Sequence, residues 1–363
     1  MNLTVVLYDR AKAAPLRFSH IVSLEPTSYS WHGIGGPEAA NITVWGNPNA
    51  VWEAVEWLRC PVEITDERGT LVWYGYVAEV EIRVGAITVG VSLDDMANKI
   101  AVAYSYIPAA STTPGERKTT AYSSDTDSTA EYGTKELLAS LSGASDAQAT
   151  GKRDTLLAAK KYPVPTVQMI GENSLSASLK CRGWWDTLRW RYYTQAGTVD
   201  TATTTQIGDI LTSVGEFVTS ATIDTASGIT SSQYRKGDRT AQQEILDLLA
   251  AGTSGESRYL AKVEAGRTLT VYTEPTSGTA DYFLAADGLL YGPSGQLIDP
   301  HTCPVAFWAK LKDVIPDTAD LAKLAKASPF FVQRSQYVVS TKRLTLEARE
   351  ALSPLGLGGI QQG

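Results

Sequence analysis

Mainly β with α+β insertions is the fold class this sequence predicts, as two β-barrel-like domains interrupted by a small mixed α/β module. Three observations predict it. Apolar residues recur at period two from Leu71 to Val84, a polar stretch of Ser, Thr, Ala, Gly and Asp fills 108 to 162, and two helix-to-strand units stand between 204 and 275. A chain of 363 residues exceeds one ordinary core and suffices for two or three.

Residues 1–107 are expected to form the N-terminal β-barrel-like domain. Its start, Met1 to Leu7, lacks a basic leader and a sustained apolar stretch and reads as a first strand rather than a signal peptide. The expectation is a chain made in a cytoplasm that stays there or leaves within a larger particle. Asn47 can cap a short helix, Pro48 suits its first position, and Val51, Val55 and Leu58 share a face. Along Leu71 to Val84, Val72, Tyr74, Tyr76, Ala78, Val80, Ile82 and Val84 line one face. The other face passes from Trp73, Gly75 and Val77 to Glu79, Glu81 and Arg83, so one end is covered and the other meets solvent or a charged partner. At about 3.3 Å per residue this strand runs to roughly 45 Å, which suits a barrel or a large curved sheet. Turn signals at Glu67-Arg68-Gly69 and Gly85-Ala86 make Arg59 to Ser92 a three-stranded meander. Leu93 to Lys99 is expected to be one helical turn before a strand through Ile100 to Tyr104.

Segment 108–162 has too few large apolar residues for a core and is expected to be an exposed, partly helical insertion or linker. Segment 163–203 resumes as a β-rich aromatic segment, with strands at Thr166 to Ile170 and Leu175 to Lys180. In 204–275, a small α+β module, Thr203 with Gln206 suggests a capping box, and Ile207, Ile210, Leu211 and Val214 form a helical stripe stopped by Gly215. Thr240 with Gln243, then Ile245, Leu248 and Leu249, and the stop at Gly252 repeat the scheme before a hairpin about Ala265-Gly266. Segment 276–350 is expected to be a C-terminal β region completing a second barrel, with a short helix near 317–326, and 351–363 a flexible tail or docking peptide.

The net charge of −7, with scattered basic residues, argues against sequence-independent DNA binding, which needs clustered Lys and Arg. A surface that DNA slides past remains allowed. No run of eighteen apolar residues occurs that could span a bilayer. Cys60, Cys181 and Cys303 are odd in number and far apart, which fits reduced core thiols, and no Cys-x-x-Cys or His-x-x-x-His spacing supplies a metal site.

No catalytic residue, cofactor or metal ligand is assigned. A Ser-His-Asp site would have to use His20, His32 or His301, none of which lies in a diagnostic setting, and glycine loops of the Walker or dinucleotide kind are absent. His32 in Trp31-His32-Gly33-Ile34-Gly35-Gly36 reads as an exposed imidazole in a Gly-rich loop. Asp94-Asp95 and Glu79 with Glu81 are carboxylate pairs by composition, expected to be solvated surface. The passage Cys181 to Tyr193 carries five aromatics in thirteen residues. Its two readings are a core or subunit interface, with Arg189 or Arg191 stacked on the rings, and a sugar platform built of Trp184, Trp185 and Trp190.

The passage Leu71-Val72-Trp73-Tyr74-Gly75-Tyr76-Val77, running into Val91-Ser92-Leu93-Asp94-Asp95-Met96-Ala97-Asn98-Lys99, resembles tail proteins of siphophages and prophages. Trp184 to Tyr193, then Thr205-Gln206-Ile207, Gly215-Glu216-Phe217 and Leu260 to Pro275 are similar to the same group, the baseplate-hub or tail-tip hub family. The resemblance implies a virion structural protein, made in the host bacterial cytoplasm, without catalytic activity. It implies a homotrimer that joins the tail tube to the distal tip, contacts tube, distal-tail and tip or fibre proteins, and passes DNA without binding it specifically. The rival expectations are a carbohydrate-binding tail protein that contacts host glycans and a glycan-degrading tail enzyme.

Overall fold

Strand pairing in this computed structural model is organised around β5 (Leu71–Ser92) and β10 (Thr166–Arg182), two long antiparallel strands that stand third and fourth along the path of one large mixed sheet. The structure describes residues 2–20, 22–108, 115–196, 201–223, 230–231, 235–252, 258–275, 281–285, 288–311 and 330–349. On one side, β5 pairs with β4 (Pro61–Thr65), which pairs with β1 (Thr4–Leu7). On the other, β10 pairs with β3 (Ile34–Gly46), and β3 with β2 (Val22–His32). Between Val72 and Ile82 the even-numbered side chains of β5 are buried, as the alternation predicts. Trp73 and Val77 are buried on the opposite face, whereas Arg83 is exposed, so the expected change of environment along that face is present. Asn47 accepts a bond from the Ala50 N–H and starts α1 (Pro48–Glu53) as expected; a 3-10 turn then carries the buried Trp57 and Leu58 onto the sheet.

Three local expectations change. The third strand of the meander is the continuation of β5, because Gly85 takes φ +61° and turns the strand locally without ending it. Likewise β10 runs unbroken through the two strands expected at 166–180, with irregular register between Met169 and Ser174. Leu93 to Asn98 is a turn rather than a helical one, and β6 (Lys99–Tyr106) follows.

Residues 115–162 build onto β6 instead of forming an insertion without a core. The elements are β7 (Arg117–Thr119), β8 (Ser123–Ser124), α2 (Thr126–Tyr132), β9 (Glu136–Ala144) and α3 (Asp146–Lys160). The parallel β6–β9 pair carries Val102, Tyr104, Ala144 and Ala149 as a small core. Small residues suffice because α3 can approach the sheet closely at Ala149, which a composition count of large apolar residues does not register.

The 204–275 region, with the residues leading into it, contains α4 (Thr203–Val214) and α5 (Ala241–Ala251) among short strands: β11 (Tyr192–Thr194) and β12 (Thr201–Ala202) before it, then β13 (Ser220–Ile223), β14 (Thr230–Ser231), β15 (Lys236–Thr240), β16 (Tyr259–Val263) and β17 (Thr268–Thr273). The apolar stripes of both helices are buried. The α5 capping box between Thr240 and Gln243 is formed in both directions. That of α4 is not: Ala202 occupies its N-cap, and Thr203 and Gln206 lie buried inside the helix. The hairpin about Ala265-Gly266 is present, closed by Arg267 at φ +64°, and β16 joins this module to β3 in parallel.

No closed barrel occurs among the described residues, so the two expected barrel-like domains are corrected to an open sheet whose path ends at β1 and at β20. The late strands are β18 (Tyr282–Leu284), β19 (Leu290–Tyr291), β20 (Leu297–Ile298), β21 (Phe307–Leu311), β22 (Phe330–Val338) and β23 (Arg343–Arg349). They do not complete a second barrel: β22 pairs with β2 from Ser28 to His32 and extends the first sheet. Tyr29 and Tyr337 pack at 5.6 Å across this seam. The helix expected at 317–326 and the tail at 351–363 lie outside the described residues.

Candidate functional site

The aromatic passage folds as a 3-10 helix, Trp184–Trp190, rather than as a strand. A Cβ at Gly183 would stand 1.8 Å from the Pro37 carbonyl oxygen, so only glycine lets the chain turn this close to β3. With three residues per turn, Trp184, Thr187 and Trp190 fall on one side, and all three are buried. The rings of Trp184 and Trp190 each pack against Tyr76 and Phe217 at 5.2 to 5.7 Å, making a four-ring cluster. Buried rings cannot offer a face to a sugar, so Trp184 and Trp190 serve the core. The stacked cations are Arg267 over Trp184 at 4.0 Å, Arg59 over Phe217 at 5.1 Å and Lys135 over Trp190 at 5.7 Å. The expected Arg189 and Arg191 turn elsewhere: Arg189 pairs with Asp94 and Asp186, Arg191 with Glu136 and Glu216.

Burial lowers the Lys135 ammonium to about 8 despite the nearby Asp94 carboxylate. Its Nζ donates to the backbone carbonyls of Leu93 and Asp94, tying the loop before β9 to the loop after β5. No local pattern marks this residue, since its burial comes from packing of remote segments.

Three of the four candidate carboxylates are held by cations, and the fourth, Asp95, is exposed. Arg182 takes Asp94 through two bonds of 2.5 and 2.6 Å; Glu79 pairs with Lys180 and Glu81 with Arg83. The Arg182 bond holds Asp94 below the usual carboxylate range against its burial.

His20 is half-buried in the stretch before β2. His32 is not an exposed loop residue: it ends β2, its Nδ1 lies 2.8 Å from the Ile34 carbonyl oxygen, and its Nε2 lies 3.0 Å from the Gln333 amide nitrogen. His301 is buried, with Nε2 3.2 Å from Asp66 and Nδ1 3.4 Å from Asp299. Both ring nitrogens therefore face carboxylates, which leaves neither for a nucleophile. Burial pushes the Asp66 carboxyl up, but hydrogen bonds from the Thr70 N–H, His301 and Arg68 outweigh it and bring it to about 2. Cys60, Cys181 and Cys303 are buried free thiols whose ionisation burial pushes upward.

Two surface features remain. A cleft of about 300 Å³ opens beside Trp185, walled by His32, Glu38, Asp186, Gln242 and Leu246. Gly35, at φ +102°, packs on the Trp185 ring, and the Gln242 amide donates to the Trp185 carbonyl at 3.1 Å. Within this cleft Glu38 is bound to Arg334 and Ser30, and Asp186 to Tyr76 and Arg189.

The second feature is a ribbon. β4 leaves β5 after Tyr76 and β3 reaches β10 only from Ala177 onward, so in the described pairings Arg83 to Gly90 and Thr166 to Ser176 meet only each other. Ile87 stands opposite Met169, and Val89 opposite Val167, which puts all four side chains on one face. Met169 is 88% exposed, Val167 65% and Ile87 42%.

No known family profile matches the chain, and no curated protein matches its sequence. Among solved structures it is similar to one described as the tail protein from Neisseria meningitidis MC58, with 10% identity, 97% of each chain covered and a TM-score of 0.46. It is also similar to the 43 kDa tail protein of prophage MuSo2 from Shewanella oneidensis, with 9% identity, 96% of this chain and 98% of that one covered, and a TM-score of 0.47. No helix among the described residues is long and apolar enough to cross a membrane.

Proposed function

We propose that this chain is a non-enzymatic structural protein of a bacteriophage tail, the hub of a tail tip or baseplate. It works as a homotrimer that joins the tail tube to the distal tip proteins and lines the channel through which DNA leaves.

The observation that carries this reading is the ribbon of β5 and β10. Two strands alone are marginal in water, and among the described residues this pair leaves its backbone edges unpaired and exposes the apolar side chains of Ile87, Val167 and Met169. Such an element gains most when another chain covers it. A closed ring requires head-to-tail contacts, so the ribbon of one copy would meet a different surface of the next. The net charge of −7 suits a lumen that repels phosphates. The number three comes from the resemblance of the 71–99 and 184–275 passages to tail hubs.

Light scattering on the purified full chain over a range of concentrations tests the reading. The expected mass is three times that of the chain, falling to one in the Val167→Asp/Met169→Asp double variant with its thermal unfolding unchanged. A monomer at every concentration, or a trimer that survives the double substitution, would overturn the ribbon-mediated hub.

A further inference from the structure

The cleft beside Trp185 is apolar in its walls and balanced in its charge. Ile34, Pro37, Trp185 and Leu246 line it, and Leu246, on α5, is 36% exposed. Trp185 is half-buried, whereas Trp184 and Trp190 on the same 3-10 helix are buried. The two carboxylates of the cleft are already answered, Glu38 by Arg334 and Asp186 by Arg189. A charged ligand finds no unpaired counter-charge on these walls, whereas an uncharged apolar chain would remove Trp185 and Leu246 from water.

The end of β23 lies beside this cleft. β23 pairs with one edge of β22, with Arg349 opposite Phe331, and β2 pairs with the other edge, with His32 opposite Arg334. One strand thus separates β23 from β2, a distance of roughly 10 Å. Both are antiparallel to β22, so both run towards the same end of the sheet, where β2 turns at Gly33 into β3 and the flanking His32 and Ile34 line the cleft. Arg334 spans the gap: its Nη1 donates to Glu347 on β23 at 3.2 Å, and its Nε donates to Glu38 on the cleft wall. Gln333 fastens the same turn, its carbonyl accepting from the Gly33 N–H at 2.7 Å.

Arg349 is the last described residue, and residues 350–363 follow it. From Ala351 onward they carry no charged side chain, and Leu352, Leu355, Leu357 and Ile360 are apolar. At up to about 3.3–3.6 Å per residue, the chain from 350 to 355 can extend roughly 20 Å, beyond the separation of the two strands. We propose that the segment 352–360 occupies the Trp185 cleft of its own molecule, with its leucines against Trp185 and Leu246. The charge-neutral walls match the charge-free segment, and the exit of β23 delivers it to the right end of the sheet. This docking is independent of the oligomeric state and of the hub reading.

Fluorine NMR of the full chain carrying fluorotryptophan tests it: the chain has nine tryptophans, and Trp185→Phe identifies the Trp185 signal. Leu355→Asp/Leu357→Asp, which alters no described residue, should shift that signal and leave those of Trp184 and Trp190 in place. In a Leu246→Asp background, where an exposed charge on the wall bars the leucines, the same double substitution should leave the Trp185 signal unmoved. A synthetic peptide of residues 351–363 at millimolar concentration should return the Trp185 signal of the double variant to its natural position. A signal indifferent to the double substitution would overturn the proposal, as would a shift that the peptide does not reverse or that persists in full beside Leu246→Asp. Dilution of the natural chain separates the two sources of the segment. If its Trp185 signal moves towards the double-variant position as concentration falls, a neighbouring copy supplies the segment, and docking within one molecule is overturned.

Discussion

Trp184 shows what a single residue contributes here. It is buried against Tyr76 and Phe217 and carries the Arg267 guanidinium on its face, so Trp184→Ala should cost about 3–5 kcal/mol of unfolding free energy, read from the urea midpoint. Asp66 acts through charge. Its carboxyl is held at about 2 in the folded chain against an unfolded value near 3.9. The folded state therefore binds fewer protons in that interval, and the stabilisation is complete above about pH 4 and lost as pH falls towards 2. Urea midpoints at pH 5 and pH 2.5 should differ more in the natural protein than in Asp66→Asn. Lys135 shows the same slope at the alkaline end, although here it is the charged form that costs stability. With its ammonium lowered to about 8 from an ordinary value of 10.5, the unfolded chain binds the extra proton between those limits, so stability from this group rises with pH there. Comparison with Lys135→Met across pH 8 to 10.5 isolates that rise.

At the scale of elements, the two module helices separate what capping does from what packing does. In α5 the Thr240 hydroxyl and the Gln243 side chain satisfy backbone donors reciprocally, so Thr240→Ala should cost about 1 kcal/mol, measured as a lowered thermal midpoint. The same residue types at Thr203 and Gln206 make no such box because the N-cap of α4 falls one residue earlier, at Ala202, and both side chains are buried within the helix. A capping signature is local, whereas the residue that becomes the N-cap is chosen by where the helix must start to pack. Gly85 makes the same point for strands. Gly-Ala after an alternating run signals a turn, but the opposing residues of β10 keep β5 extended through φ +61°.

For the whole molecule, the decisive feature is that β22 pairs with β2, which makes the late strands part of the first sheet. Arg68, paired with both Asp66 and Asp299, and His301 between the same carboxylates fasten the β4–β5 turn to the segment before β21. Among the described residues the ribbon is the part that this pairing leaves as two strands alone. Backbone hydrogen exchange at 83–90 and 166–169 should be fast in dilute protein and slow as concentration drives assembly, while the Val72–Ile82 stretch stays protected in both conditions.

Local spacing alone was enough to read the period-two core face of β5, the Asn47 and Thr240 caps, the buried stripes of α4 and α5 and the hairpin about Ala265-Gly266. Each rests on spacing within a few residues, where backbone geometry leaves few choices. Long-range packing set the rest: the sheet stays open, Trp184 and Trp190 face a core while Trp185 borders a cleft, and small residues give 115–162 a packed centre. It alone brought Gln195 beside Arg235 and Asp66 beside His301. Those pairings span tens to hundreds of residues, and the free energy that selects among them comes from burial and charge compensation between segments, which no local pattern records.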